Sequence, residues 1–229
     1  SRILSISQEK VDLEGELLKA KIKSIMDRRE IEAKQLNLSW NGFRKFKVVS
    51  KVEETSDITS FYLAPHDGKE LPEFLPGQFL TFQIPVPTQP HPVIRCYSLS
   101  DSPFHPERYR VSIKRVPAPR NEPTAPPGLV SNYFHDFLNE NDIVDIKAPS
   151  GHFHLSMAKK FPVVLLAGGV GITPLLSMLN AITEMGSQRE VWFFLGVRNK
   201  KDHVMKEHLE MVARENENVR LRVFYSAPD

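Results

Sequence analysis

A seven-residue apolar run, Phe161-Pro162-Val163-Val164-Leu165-Leu166-Ala167, passes directly into Gly168-Gly169-Val170-Gly171-Ile172-Thr173-Pro174. Such a continuous run reads as a parallel strand buried on both faces. The glycines let the backbone turn and leave open space beside it. Pro174 suits a first helical turn, where its missing N–H would have no partner anyway. The segment is a strand-to-helix junction, where free backbone N–H groups can hold an anion. Read alone it also fits a tight packing turn, and its order is not G-x-G-x-x-G.

The rest of the chain must fit that junction. A helix from Pro174 to Met185 is followed by a strand from Glu190 to Val197. A second helix spans Asp202 to Glu217, with Val204, His208, Met211 and Val212 on one side, and a third strand runs from Val219 to Tyr225. This βαβαβ pattern is half of a doubly wound, Rossmann-like sheet. Upstream, from Phe43 to Phe153, the period is different. Short extended runs at 46–49, 58–63, 79–84, 93–99, 109–116 and 142–147 are separated by turn formers such as His66-Asp67-Gly68 and Asp101-Ser102-Pro103. That pattern predicts an antiparallel β-barrel or sandwich. One helix interrupts it, Ser131 to Leu138, with Ser131 as a candidate N-cap. Pro117 to Pro127 reads as a long surface loop.

Residues 8–38 read as a charged helix with Leu18, Ile22, Ile25, Met26, Ala33 and Leu36 on one stripe. It is a packing or linker helix, a dimerisation helix, or the tail of an upstream domain. The expected organisation is a charged helical extension at 1–41, a β-barrel at 42–158 and a partial α/β domain at 159–229.

Composition narrows the class. The chain has 229 residues, 41% of them hydrophobic and 25% charged, enough for a real core. Its net charge of +2 gives no reason to expect nucleic acid. No apolar run approaches the roughly 18 residues of a membrane span, and Ser1 opens no signal-peptide pattern. The one cysteine, Cys96, excludes an intramolecular disulfide and fits a reducing, cytoplasmic compartment.

Two further segments carry chemistry. Arg95-Cys96-Tyr97-Ser98-Leu99-Ser100 lies on a strand. Strict alternation puts Arg95 and Tyr97 on one face and Ser98 and Ser100 on the other, so one ligand touches both sets only along the strand end. The plain alternative is a half-buried strand with a surface arginine. Gly128-Leu129-Val130-Ser131 opens a helix and forms a second anion site, or merely an ordinary cap. His152 and His154 share a strand face, but with no third ligand evident no metal is expected. His203 and His208 read as surface or packing residues, and Ser100, His91 and Asp136 form no evident nucleophile triad.

Together these segments have a known look. Pro76-Gly77-Gln78-Phe79, Arg95-x-Tyr97-Ser98-Leu99-Ser100, Tyr109 to Arg115, Gly128 to Ser131 and Gly168 to Pro174 resemble, in order and spacing, the ferredoxin–NADP reductase superfamily. Within it they are most similar to the reductase domains of flavohaemoglobin-like and oxygenase-reductase proteins. The resemblance covers Phe43 to Asp229. It implies FAD in the barrel and a pyridine nucleotide, NADH before NADPH, on the second sheet.

The resemblance also implies roles. Arg95 would bind the flavin phosphate; Tyr97 and Ser98, the catalytic pair, would flank the ring and hydrogen-bond near its N5. Leu99 belongs to the same motif. Ser112, Ile113, Lys114 and Arg115 would border the ribityl and diphosphate, and Gly128, Leu129, Val130 and Ser131 would hold the diphosphate. Gly169, Val170, Gly171 and Thr173 would receive the dinucleotide, with Thr173 beside the nicotinamide. Arg198 is the one basic candidate for a 2′-phosphate; Tyr225-Ser226-Ala227-Pro228-Asp229 offers an acid instead. The family's nucleotide domain continues through further strands, including a Cys-Gly-Pro segment, so the α/β part is expected to be truncated. The implied function moves a hydride from NAD(P)H to FAD, then single electrons to an iron–sulfur or haem partner on the same or another polypeptide. The alternative is a flavin-binding electron-relay module without a competent nucleotide site.

Overall fold

The computed structural model describes residues 14–19, 21–23, 25–26, 38–119 and 121–227, in two units, 1–39 and 40–229. In the first unit the described residues up to Leu38 are helical, inside the expected 8–38 span. Leu18, Ile22, Ile25 and Met26 are exposed, while Ala33 and Leu36 lie outside the described residues.

The second unit begins with six antiparallel strands: β1 (Arg44–Thr55), β2 (Ile58–Pro65), β3 (Phe79–Ile84), β4 (Val93–Ser98), β5 (Tyr109–Lys114) and β6 (Ile143–Ser150). Their order is β4-β3-β6-β1-β2-β5. Period-two patterning builds the core: Leu80, Phe82 and Ile84 are buried on β3 while Phe79, Thr81 and Gln83 between them are not. The sheet's two ends meet at one point. Leu99 bridges Val111, and the Ser100 N–H donates to the Arg110 carbonyl at 2.9 Å. Beyond that bridge β4 and β5 diverge, so the barrel is closed at one end of its seam and open along the rest. Helix α1 (Leu129–Asp136) is tied to the barrel by Phe134, wholly buried, whose ring meets Phe61, Phe82 and Tyr97 edge-on at 5.2, 5.4 and 5.4 Å. Burying one such ring is worth roughly 1.5–3 kcal/mol.

The structure moves the expected cap. The N-cap of α1 is Gly128, and Ser131 sits inside the first turn, its Oγ donating back to the Gly128 carbonyl at 3.2 Å. Gly128 is there for space: a Cβ would lie 2.6 Å from Ser131 Oγ and 2.8 Å from Val116 Cβ.

The remainder is parallel: β7 (Val163–Gly168), a 3-10 turn at Gly169–Gly171, α2 (Ile172–Glu184), β8 (Val191–Val197), a 3-10 turn at Lys200–Asp202, α3 (Lys206–Glu215) and β9 (Val219–Tyr225), in sheet order β7-β8-β9. The second helix is shorter than expected, because Met205 takes a left-handed φ of 55° and restarts the chain after the 3-10 turn. Met211 is exposed rather than packed. β7 is not buried on both faces either. Leu165 faces the core with Leu176, Leu179, Phe193 and Leu209, but Val164 and Leu166 on the other face are 57% and 71% exposed. The apolar run reports strand character; it does not tell how many layers cover the strand.

The barrel and the α/β lobe share side chains. Ile58 of β2 lies in the second core. A Cβ on Gly77, at φ 110°, would sit 2.5 Å from the Phe153 carbonyl oxygen and 2.6 Å from Met178 Cε of α2. Only glycine allows that approach.

Candidate functional site

The open seam is a cavity of about 460 Å³. One wall is Arg95, Cys96, Tyr97 and Ser98 of β4; the opposite wall is Ser112, Ile113 and Lys114 of β5. Val116 and the start of α1, Gly128 to Ser131, form one end, and Val170 and Thr173 form another. Arg95, Tyr97 and Ser98 thus border one space although alternation assigns them to different faces. The reason is position: β4 is an end strand of the sheet, and along the open seam it has no neighbour on that side.

The cavity's chemistry is that of a site for an anion joined to a flat ring. Arg95 is exposed; its Nη1 donates only to the adjacent Ile94 carbonyl at 2.7 Å, and among the described residues no carboxylate pairs with it. The first-turn N–H groups of α1 have no intrahelical acceptor, and its N-cap makes no side-chain hydrogen bond. Tyr97 lies against Phe82 at 5.7 Å, and burial pushes its phenol up to about 12, so it stays a neutral donor. Ile113, Leu129, Val130 and Val170 supply apolar surface.

A second cavity, of about 320 Å³, opens at the carboxyl ends of the parallel strands. It is lined by Gly169, Gly196, Val197, Arg198, Asp202, Phe224, Tyr225 and Ser226 from the α/β lobe, and by Asp57, Ile58 and Lys114 from the barrel. Gly169 takes φ 51°, and a Cβ built there meets nothing within 4 Å. Its space is therefore open to a ligand rather than filled by the protein's own packing. Arg198 Nε lies 4.0 Å from Asp202. Tyr225 is held by His203, whose Nδ1 is 2.9 Å from the phenol oxygen. Lys114 lines both cavities and reaches Asp57 at 3.0 Å. Gly169 borders one cavity and its neighbour Val170 the other, so one short wall separates the two.

Three of the expected residues lie elsewhere. Leu99 is wholly buried and closes the seam from inside. Arg115, one residue past Lys114, points the other way; its guanidinium is held by Asp136 at 2.7 Å and Asn132 at 3.1 Å. Gly171 lines neither cavity. Ser112 borders the seam, but its hydroxyl is engaged with Ser60 and Ser100 at 2.7 and 2.9 Å. Val116, the start of the loop that the resemblance puts beside the ribityl and diphosphate, does line the seam, and so does Cys96, to which the motif gives no binding role. Cys96 borders the space because β4 has no neighbour on that side, which only the sheet order shows. Gly196 and Tyr225 follow from the rule that ligands sit at the carboxyl ends of parallel strands. Asp57 and Ile58 carry no local signal.

His135 supports the Ile113 wall. Its Nε2 lies 2.9 Å from the Ile113 carbonyl, which only accepts, so Nε2 carries the proton and Nδ1 faces Thr59 Oγ1 at 3.3 Å. Burial holds the ring's pKa below its usual 6.5, and the same holds for His203 and His208. The unfolded chain therefore takes up protons near 6.5 that the folded chain refuses. Stability is complete above that pH and falls as pH drops through it, until the folded histidines protonate as well. Thermal melts from pH 8 to 5 should show a midpoint that is flat above about 7 and declines below 6.5, with a shallower decline in His135→Gln.

Comparison with known proteins agrees with this architecture. Residues 45–155 match the oxidoreductase FAD-binding domain and residues 165–229 the oxidoreductase NAD-binding domain. The chain is 46% identical over 197 residues to a flavohemoprotein of Bacillus thuringiensis subsp. konkukian, covering 86% of this chain and 48% of that protein. A Bordetella pertussis flavohemoprotein is 44% identical over 186 residues, 81% of this chain and 45% of its own. The chain thus spans about half the length of the curated relatives it matches. The crystal structure of the flavohem-like FAD/NAD-binding domain of nitric oxide dioxygenase from Vibrio cholerae superposes with a TM-score of 0.73 at 29% identity, covering 81% of this chain and 75% of that one. Phthalate dioxygenase reductase superposes at 0.66 with 28% identity, over 82% and 53%. A seam-opened antiparallel barrel joined to a parallel nucleotide-binding sheet defines an FAD- and NAD-binding oxidoreductase unit. The chain belongs to the ferredoxin–NADP reductase superfamily, among the flavohemoprotein-like members. Among the described residues, no helix is long and apolar enough to cross a membrane.

Proposed function

We propose that this chain is the reductase part of a flavoenzyme that oxidises NADH and delivers electrons singly to a haem or an iron–sulfur centre. The observation that carries the reading is the shared wall: Lys114 lines both cavities, and the adjacent Gly169 and Val170 line one each. Bound FAD and NADH would supply the redox chemistry, a hydride passing from one ring to the other. The chain's residues supply binding and position. Arg95 and the start of α1 hold phosphate charge. Tyr97 flanks the ring, and Ser98, whose hydroxyl has no partner among the described residues, donates to it. Thr173 Oγ1 donates to the Val170 carbonyl at 3.1 Å and so orders the turn where the nicotinamide would lie.

Two observations refine the ligands. Beyond Gly128 and Leu129 the seam continues into an apolar groove of about 420 Å³ between Pro87, Pro126, Pro127, Tyr133 and Phe137, which favours FAD over FMN by offering its adenine a place. In the second cavity each cation faces a carboxylate, Arg198 with Asp202 at 4.0 Å and Lys114 with Asp57 at 3.0 Å, an arrangement that disfavours a 2′-phosphate and so favours NADH. The acceptor is read from the relatives: flavohemoproteins on one side, and on the other a reductase described as carrying electrons to a [2Fe–2S] centre. Cys96, exposed and unpaired, supports a reducing compartment such as the cytoplasm.

The purified protein should be yellow and release FAD on denaturation, and anaerobic NADH should bleach its visible absorbance. A colourless chain that cannot be reconstituted sinks the flavin reading. Release of FMN alone sinks the adenine assignment. A yellow protein that NADH leaves unbleached is instead a flavin-binding relay module.

A further inference from the structure

The shared wall works only if the α/β lobe keeps its register on the barrel, and one chain of polar groups, half-buried at its ends and buried at Asn180, crosses between them. It starts at the seam's closing point. Arg110, next to the bridge, donates to the Ser100 carbonyl and lies 3.6 Å from the Asp101 carboxylate. Asp101 in turn accepts from Asn180 Nδ2 of α2 at 3.4 Å, and Asn180 Oδ1 accepts from His208 Nε2 of α3 at 2.8 Å. Asn180 is 4% exposed, and its amide is engaged on both sides, once in each lobe. Apolar contacts between lobes tolerate sliding, whereas a buried amide does not: hydrogen bonds weaken steeply off-axis, and an unmade buried one costs its full desolvation. Thr173 lies about two helical turns before Asn180 on the same helix.

We propose that Asn180 is a positioning residue that fixes the register of α2 against the barrel, so that Val170 and Thr173 stay in the wall between the two cavities. This rests on the reading of those cavities as flavin and nucleotide sites, and it adds a residue that touches neither.

The test uses Asn180→Leu, Asn180→Asp, and Asn180→Asp combined with Asp101→Asn. Asn180→Asp sets two carboxylates against each other; the double variant restores a donor–acceptor pair with the roles exchanged. Amide hydrogen exchange at 169–173, measured without ligands, should quicken about fivefold in both single variants, the scale of one lost hydrogen bond. Core amides of the barrel strands should not change, and the double variant should return to the parent rate. In the FAD-loaded protein, the limiting rate of flavin reduction should fall about tenfold while half-saturation by NADH stays put, as misplacement without lost binding requires. If Asn180→Leu does not fold, the rescue decides alone. A double variant that folds and protects 169–173 better than Asn180→Asp supports the assignment. Unchanged exchange in Asn180→Asp, or a double variant no better than it, overturns the assignment. Because the exchange arm needs no ligand, it stands even if the parent binds no NADH, an outcome that would count against the functional reading instead.

Discussion

Gly169→Val should leave a folded, yellow protein that NADH can hardly reduce. The glycine takes φ 51°, and a Cβ there points into open space at the second cavity. Valine therefore brings two separate effects. The left-handed backbone costs roughly 1–3 kcal/mol in a β-branched residue. The side chain then occupies volume that a nucleotide needs, and nothing nearby can move aside for it because nothing nearby is touching it. Half-saturation by NADH should rise at least about 100-fold, some 2.8 kcal/mol, while FAD content stays at the parent level. Stopped-flow reduction at varied NADH reads both numbers. Gly171→Ala is the control. Gly171 has an ordinary helical φ of −62°, lines neither cavity, and has open space around its Cβ, so alanine there should be silent. If Gly169→Val is reduced at the parent's rate and NADH dependence, the glycine turn is a packing device and the dinucleotide assignment fails.

Arg95→Ala should do the reverse and shed flavin. Among the described residues Arg95 hydrogen-bonds only to a backbone carbonyl, so its removal costs the empty protein little. Against a flavin phosphate its contact is charge-assisted, worth roughly 1.5–3 kcal/mol, or about 10- to 150-fold in FAD affinity. Lysine should restore only part, since one ammonium cannot reproduce a bidentate fork. Equilibrium dialysis of FAD against the variant measures the loss, and melting without FAD checks that the fold is intact. An unchanged dissociation constant would remove Arg95 from the site.

Much of this was legible in the chain itself, and the legible parts share a cause. Strand alternation, the apolar run into Gly168 to Thr173, and the glycine opening α1 are local: a few neighbouring residues and backbone geometry determine them. Period-two burial on β3 and the parallel order of β7 to β9 followed from such patterns. Motif order points to Arg95, Tyr97, Ser98 and Gly128 to Ser131, and in the structure all of them border one cavity.

The tertiary structure decided what depends on distant partners. Arg115 sits in a promising motif, but Asp136 and Asn132 take its charge, and those neighbours are set by how α1 packs. Leu99 belongs to the motif yet closes the barrel, because its bridge to Val111 depends on where the sheet's two ends meet. Asp57 and Asn180 show no pattern in sequence, and Lys114, which its motif placed at the first cavity, lines the second as well. They matter only because the barrel and the α/β lobe come together there, and a contact such as that between Asp101 and Asn180, 79 positions apart, leaves no periodicity behind. Sequence determined which segments could bind phosphate and which could form sheet. Packing determined which of their side chains face a common space, because facing is a property of pairs of elements and no single element carries it.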